Sequence, residues 1–188
     1  MAVVTACSLS AGFAQERSAF DRKIMQAALG FHQTTALCAL EDRTFENSEL
    51  IRFSASSHVV LIVCERHAYQ TSHVAYSVSG ESDPYVELLS FPDNADGQKW
   101  TASHRIISPD WNGETKRLTT FYKGRGIGDC GSSAVYRWED HAFIPEEVRF
   151  QTCCWDEESF ETVPACKKIK DDYPIPEDEW PVVFRIDR

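Results

Sequence analysis

The densest chemistry in the chain lies in FYKGRGIGDCGSSAVYRW, Phe121 to Trp138. Four of the nine glycines fall between Gly124 and Gly131, around Lys123, Arg125 and Asp129. Glycine at that density marks backbone that needs positive φ or that another group approaches closely. No GK[ST] ending is present and no helical pattern follows, so the loop lacks the marks of a nucleotide-phosphate cradle. Two readings follow, the first the plainer. The glycines can build a bulged corner from which Cys130 reaches a partner while Asp129 bonds local amides. Alternatively, the loop presents Lys123, Arg125 and Asp129 to a ligand, the arginine fork being suited to a carboxylate or phosphate.

Other chemistry is sparse. A nucleophilic enzyme needs a nucleophile, a base and an orienting group, yet no G-x-S-x-G elbow and no H-E-x-x-H helix occurs. Cys154 stands close to Asp156, Glu157 and Glu158, whose charges disfavour a thiolate. A redox pair would more typically read C-x-x-C than the Cys153-Cys154 doublet. Asp129 with Glu139 or Glu147 could form the carboxylate pair of a glycoside hydrolase, acids being plentiful enough for chance pairs. Zinc sites typically show close ligand pairs, and here no C-x-x-C occurs and the six histidines are scattered. No metal and no cofactor is expected. Most aromatics should be core, since they fit pleated faces and supply large buried area. Trp111, in the turn-like PDWNGE, is the exception expected at the surface as a binding residue.

Residues 1–14, MAVVTACSLSAGFA, carry no charge and end in small residues, with Gly12 and Ala14 placed as for signal-peptidase cleavage. A positively charged start is missing. The reading is a signal-like segment at 1–14 and one domain over 15–188, in an oxidising compartment, periplasmic or secreted. Val4 to Cys7 also resembles a lipoprotein cleavage box, with too few residues ahead of it for an export segment. Removing Cys7 turns seven cysteines into six: Cys38, Cys64, Cys130, Cys153, Cys154 and Cys166. An even number in an exported chain reads as a disulfide framework, and six can pair in fifteen ways. Cys38 with Cys64 is favoured, both lying in the N-terminal half, and the other four then pair among themselves. A direct Cys153–Cys154 bridge would be strained. A bridge closing the Cys38–Cys64 loop is worth roughly 3 kcal/mol on the chain-entropy account.

The elements that must carry these residues are mostly strands. Phe20, Ile24, Ala27, Ala28 and Phe31 share one helical face, with Ser18 and Asp21 as a capping start and Gly30 near the expected stop. Thereafter short runs rich in Val, Ile, Phe, Tyr and Thr alternate with turns at 79–84, 92–97 and 109–113. Strands are expected at 58–66, 72–78, 85–91, 101–108, 117–124, 133–140, 146–153 and 181–186. The fold class is therefore mainly β (α+β): an antiparallel sheet domain, sandwich or barrel-like, with one N-terminal helix. At 188 residues one core suffices, burying on the order of 70% of the unfolded surface. Net charge is −10, which argues against nucleic acid, because phosphates need a basic face. No stretch approaches the ~20 apolar residues of a membrane-spanning helix.

KGRGIGDCG followed by YRWEDHAFIPEE, the earlier VCERHAYQTSHV and the terminal WPVVFR resemble the domain-of-unknown-function family 1176, over roughly Cys38 to Arg185. The resemblance implies an exported bacterial envelope protein with six characteristic cysteines, and it supplies no catalytic residue to carry over. This chain differs in its short N-terminus and in the Cys153-Cys154 doublet. The expected function is a non-catalytic protein that binds an envelope macromolecule or ligand. Its acidity favours cationic protein partners, basic enzymes such as lysozymes among them. The alternatives are a polysaccharide hydrolase with an Asp/Glu pair and a thiol-redox protein.

Overall fold

The computed structural model describes residues 17–40, 43–80, 82–93, 99–126, 130–154, 166 and 177–186. The signal-like segment at 1–14, Asp129 and Trp155 lie outside them. The capping box forms as the sequence predicts: Ser18 Oγ accepts the Asp21 N–H at 3.1 Å and the Asp21 carboxylate accepts the Ser18 N–H at 3.2 Å. It opens helix α1 (Ala19–Thr35). Arg52 binds the same carboxylate at 2.5 Å, so an acid favoured by the helix dipole is also paired. The buried stripe is Ile24, Met25, Ala28 and His32.

Gly30 does not end the helix, which runs on to a left-handed Ala36 (φ 50°). His32 rewards the extra turn: its Nδ1 lies 2.7 Å from the Tyr76 hydroxyl and its Nε2 lies 2.9 Å from the Cys38 carbonyl. Next comes a short helix, α2 (Thr44–Asn47), that no sequence signal predicted. The Arg17 fork donates to the carbonyls of Phe45 and Ser48, each at 2.7 Å, giving the end of α2 its partners.

The strands are β1 (Glu49–Arg52), β2 (Ser57–Arg66), β3 (Thr71–Ser79), β4 (Tyr85–Leu88), β5 (Phe91–Asp93), β6 (Thr101–Ser103), β7 (Arg105–Ile107), β8 (Asp110–Asn112), β9 (Arg117–Lys123), β10 (Gly131–Glu139), β11 (Ala142–Gln151) and β12 (Val182–Arg185). All pairs are antiparallel. One sheet runs β1-β2-β3-β4, with β7 on the other half of β3; a second runs β12-β11-β10-β9-β8; β5 and β6 form a ribbon. Every predicted strand overlaps an observed one. The stretch 101–108 divides at His104, whose ring meets the Leu89 carbonyl at 3.1 Å, so that β6 joins β5 and β7 joins β3. The turn expected at 109–113 contains β8, an edge strand paired with β9.

The layers explain the run VVLIVC on β2. Val60, Ile62 and Cys64 pack with Val74, Tyr76 and Val78 beneath α1. Val59, Leu61 and Ala75 point the other way and meet Leu118, Ala134, Tyr136, Phe143 and Val148 of the second sheet. A strand covered on both faces must be apolar at successive positions rather than alternate ones.

Three disulfides join Cys38 to Cys64, Cys130 to Cys153 and Cys154 to Cys166. The first is the favoured pair, and the doublet sends its members to different partners. The glycine corner wraps the second bridge: a Cβ on Gly124 would stand 2.6 Å from Cys153 Sγ and 3.0 Å from Cys130 Sγ. Gly131 has φ +137°, and a Cβ there would fall 1.9 Å from the Tyr122 carbonyl oxygen. Gly131→Ala should therefore cost about 2–3 kcal/mol in denaturant unfolding. Gly30→Ala, in a helix interior with nothing within 4 Å of the new methyl, should stabilise by up to about 1 kcal/mol. Equal effects at both positions would contradict this account of the corner.

Candidate functional site

β8 pairs with Arg117 to Thr119 and no further, so among the described residues the rest of β9 has no strand on that side. β7, bound to β3 on one side, packs near that open half of β9. Residues of both strands line a cleft of about 240 Å³. Phe91, Ile106 and Tyr136 form its buried apolar wall, and Tyr122 is 41% exposed. Asp93, Ser103, Arg105, Ile107, Thr120 and Ser132 complete the lining. Period-two alternation places Tyr122 and Thr120 on the inner face of β9, opposite Ser132 and Ala134 on β10.

Tyr136, Arg105 and Ser103 of the cleft have their hydrogen bonds made within the fold. The Tyr136 hydroxyl donates to the Pro92 carbonyl at 3.0 Å. Burial, and then the negative charge of Asp93, push its pKa well above the ordinary phenol value, so it stays a protonated donor. Arg105 donates to Glu65 at 3.0 Å and to the Leu37 carbonyl at 2.8 Å, strapping β7 to β2 and to the segment after α1. The Ser103 hydroxyl bridges the N–H and C=O of Arg105, at 3.0 and 2.8 Å. Among the described residues no histidine or cysteine lines the cleft.

Of the residues singled out in the sequence, Lys123 and Arg125 lie near the glycine corner and Trp111 stands apart from them. Lys123 lies on the face of β9 opposite Tyr122, its Nζ 5.9 Å from the Phe121 ring centroid. Its backbone N–H donates to Gln70 Oε1 at 3.0 Å. Arg125 is half-buried in the glycine corner, and Asp129 lies outside the described residues. Gly126 lies under the Tyr69 ring, 2.8 Å from its Cε2 to a built Cβ. Trp111 corrects an expectation: it is half-buried on β8, with its ring 5.0 Å from Phe53 and 6.5 Å from Phe143, part of the core edge. It stands opposite Leu118, five residues along β9 from Lys123 and so roughly 17 Å away at strand rise.

The carboxylate pairs read from the sequence, Asp129 with Glu139 or with Glu147, both include Asp129 and so lie outside the described residues. Glu139 pairs with Arg137. Burial disfavours the charge of Glu147, but hydrogen bonds from Arg149 and Arg185, each 2.5 Å, outweigh it and hold the pKa below the usual value. That is the wrong direction for a general acid. All six described cysteines are bridged.

Sequence reading did not flag the perturbed Glu49, His58 and His73, because burial, the first cause of each shift, comes only from packing. Burial, then the like charge of Asp110, raises Glu49. Burial, then Arg52, lowers His58, and burial, then Arg66, lowers His73 to about 4. For His73 the unfolded chain takes up its proton near pH 6.5 and the folded protein near pH 4. Stability is therefore full above about pH 6.5 and falls between there and about pH 4, by about 3 kcal/mol. Urea unfolding from pH 7 to 4 should show that loss, with His58 acting in the same direction. In His73→Gln the pH dependence should be shallower, and an unchanged slope would remove His73 as its source.

The fold and cleft define a disulfide-bonded, antiparallel β protein of two facing sheets with a helix packed on one of them. The chain belongs to the family described as "Protein of unknown function (DUF1176)", whose model matches residues 3–163. The match takes in the signal-like segment and stops short of WPVVFR. The chain is also 32% identical over 89 residues to the uncharacterized protein YpfG of Escherichia coli strain K12. That match covers 45% of this chain and 24% of the length of YpfG. No solved structure matches.

Proposed function

We propose that the protein is a non-catalytic binding module of the periplasm or cell exterior, and that its ligand occupies the cleft between β7 and β9. The observation that carries this reading is the cleft itself: an exposed aromatic ring and an apolar wall, edged by the Tyr136 and Ser103 hydroxyls and the Arg105 guanidinium, each already hydrogen-bonded within the fold. Groups held in one protonation state suit recognition better than proton transfer. Small-molecule pockets generally run to about 300–1,000 Å³, so this cleft fits one ring or one side chain of a larger ligand.

Three disulfides support an oxidising compartment. Among the described residues no helix is long and apolar enough to cross a membrane. A net charge of −10 favours a cationic partner, since complementary charge speeds encounter.

Fractionated envelope material titrated into isotope-labelled protein should shift the amide signals of Ile107, Tyr122 and Ser132. Tyr122→Ser should weaken that association about tenfold or more, as loss of an aromatic anchor does, and added salt should weaken it further. Shifts elsewhere with none at the cleft, or turnover of a glycan by the parent protein, would overturn the reading.

A further inference from the structure

The two strands beside the cleft leave backbone positions directed away from their own sheets. In an antiparallel pair, successive residues aim their N–H and C=O alternately at opposite neighbours. On β9 the Gly124 N–H donates across to the Cys130 carbonyl at 2.8 Å, so the groups of Lys123 and Phe121 point away from β10. The Lys123 N–H is taken by Gln70 at 3.0 Å. β8 stops at Asp110, opposite Thr119, so among the described residues no strand runs beside Phe121 on that side.

On β7 the Ser108 N–H donates to the Thr71 carbonyl of β3 at 2.8 Å, which turns the groups of Ile107 and Arg105 outward. Those of Arg105 are bridged by the Ser103 hydroxyl. Side chains therefore cap the outward positions at either end, Gln70 at Lys123 and Ser103 at Arg105. Phe121 and Ile107, between those ends, carry no such cap among the described residues. Strand edges of this kind are templates for another strand, and native proteins cap or cover those they do not use.

We propose that the occupant of the cleft is an extended, basic polypeptide segment that adds as a short strand beside Phe121 of β9. One of its apolar side chains enters between Ile106, Tyr122 and Tyr136. This rests on the reading of the cleft as the binding site. Main-chain hydrogen bonds supply the affinity, and the pocket beside the edge selects alternate side chains. Basic residues flanking the apolar one meet a chain of net charge −10 and the Asp93 carboxylate in the cleft wall. The caps at Gln70 and Ser103 confine the added strand to a few residues.

The test uses the whole protein, isotope-labelled, with four probes. They are acetyl-Lys-Val-Lys-Val-Lys-amide, two analogues N-methylated at one or the other set of alternate residues, and a chitin oligosaccharide. The peptide should shift the amides of Ile107, Phe121 and Tyr122 and slow hydrogen exchange at Phe121. One methylated analogue should bind about tenfold or more weakly, because it lacks the bonding N–H groups, while the other matches the parent. If both analogues bind like the parent, recognition is by side chains and strand addition is wrong. If the oligosaccharide alone shifts the cleft, strand addition falls and the cleft reading stands. If no probe shifts the cleft, both fall.

Discussion

The fold depends on a single constraint: the β2–β3 hairpin is buried on both faces. Val59 and Leu61 serve one core, and Val60, Ile62 and Cys64 serve the other. The same ten-residue strand thus organises the helix layer and the sheet-on-sheet layer. A one-residue slip of its register would exchange the two sets of side chains. Three contacts pin the register from the helix side. The Cys38–Cys64 bridge holds the end of β2, the His32–Tyr76 contact holds the middle of β3, and the Asp21–Arg52 pair holds β1 against the first turn of α1. The buried imidazole, phenol and Asp21 carboxylate each have partners, which lets polar groups sit where desolvation alone would expel them.

The glycine corner belongs to the same economy of close approach. Gly124 and Gly131 exist as glycines because the Cys130–Cys153 bridge and the Tyr122 carbonyl occupy the space of a side chain. The corner also decides where β9 ends, and with β8 covering its first three residues, what remains is the open half that borders the cleft. Backbone density in the sequence thus marks the boundary of the site, while the lining comes from elsewhere.

Local signals were legible wherever one segment carries the whole pattern. The Ser18–Asp21 box, the eight strand stretches and the Cys38–Cys64 pair are of that kind. Gly30 misled because a tertiary anchor, His32 on Tyr76, outweighs the helix cost of one exposed glycine. Trp111 misled because PDWNGE reads as a turn, and its pairing partner Leu118 reveals the edge strand only once β9 is in place. The cleft was not legible at all. Phe91, Arg105, Tyr122 and Tyr136 come from four separate strands, and alternation shows which share a face of one sheet, not which face meets another sheet.

Where titration is perturbed also bears on what the cleft can do. His58, His73 and Glu49 are shifted by burial and by neighbouring charges, yet none of them lines the cleft. Among the described residues the shifted group that does is Tyr136, whose raised pKa keeps it a neutral, protonated phenol, and its hydroxyl is engaged by Pro92. Acid–base chemistry needs a group poised near the working pH and aimed at a bound substrate. Recognition needs the opposite, donors and rings whose state does not change when the ligand arrives, so that little reorganisation opposes binding. Arg105 fits that second requirement, since Glu65 and Leu37 already fix its fork and Ser103 its backbone. The binding role proposed for the cleft follows from this rigidity, which holds the edge of β7 in place for whatever lies alongside it.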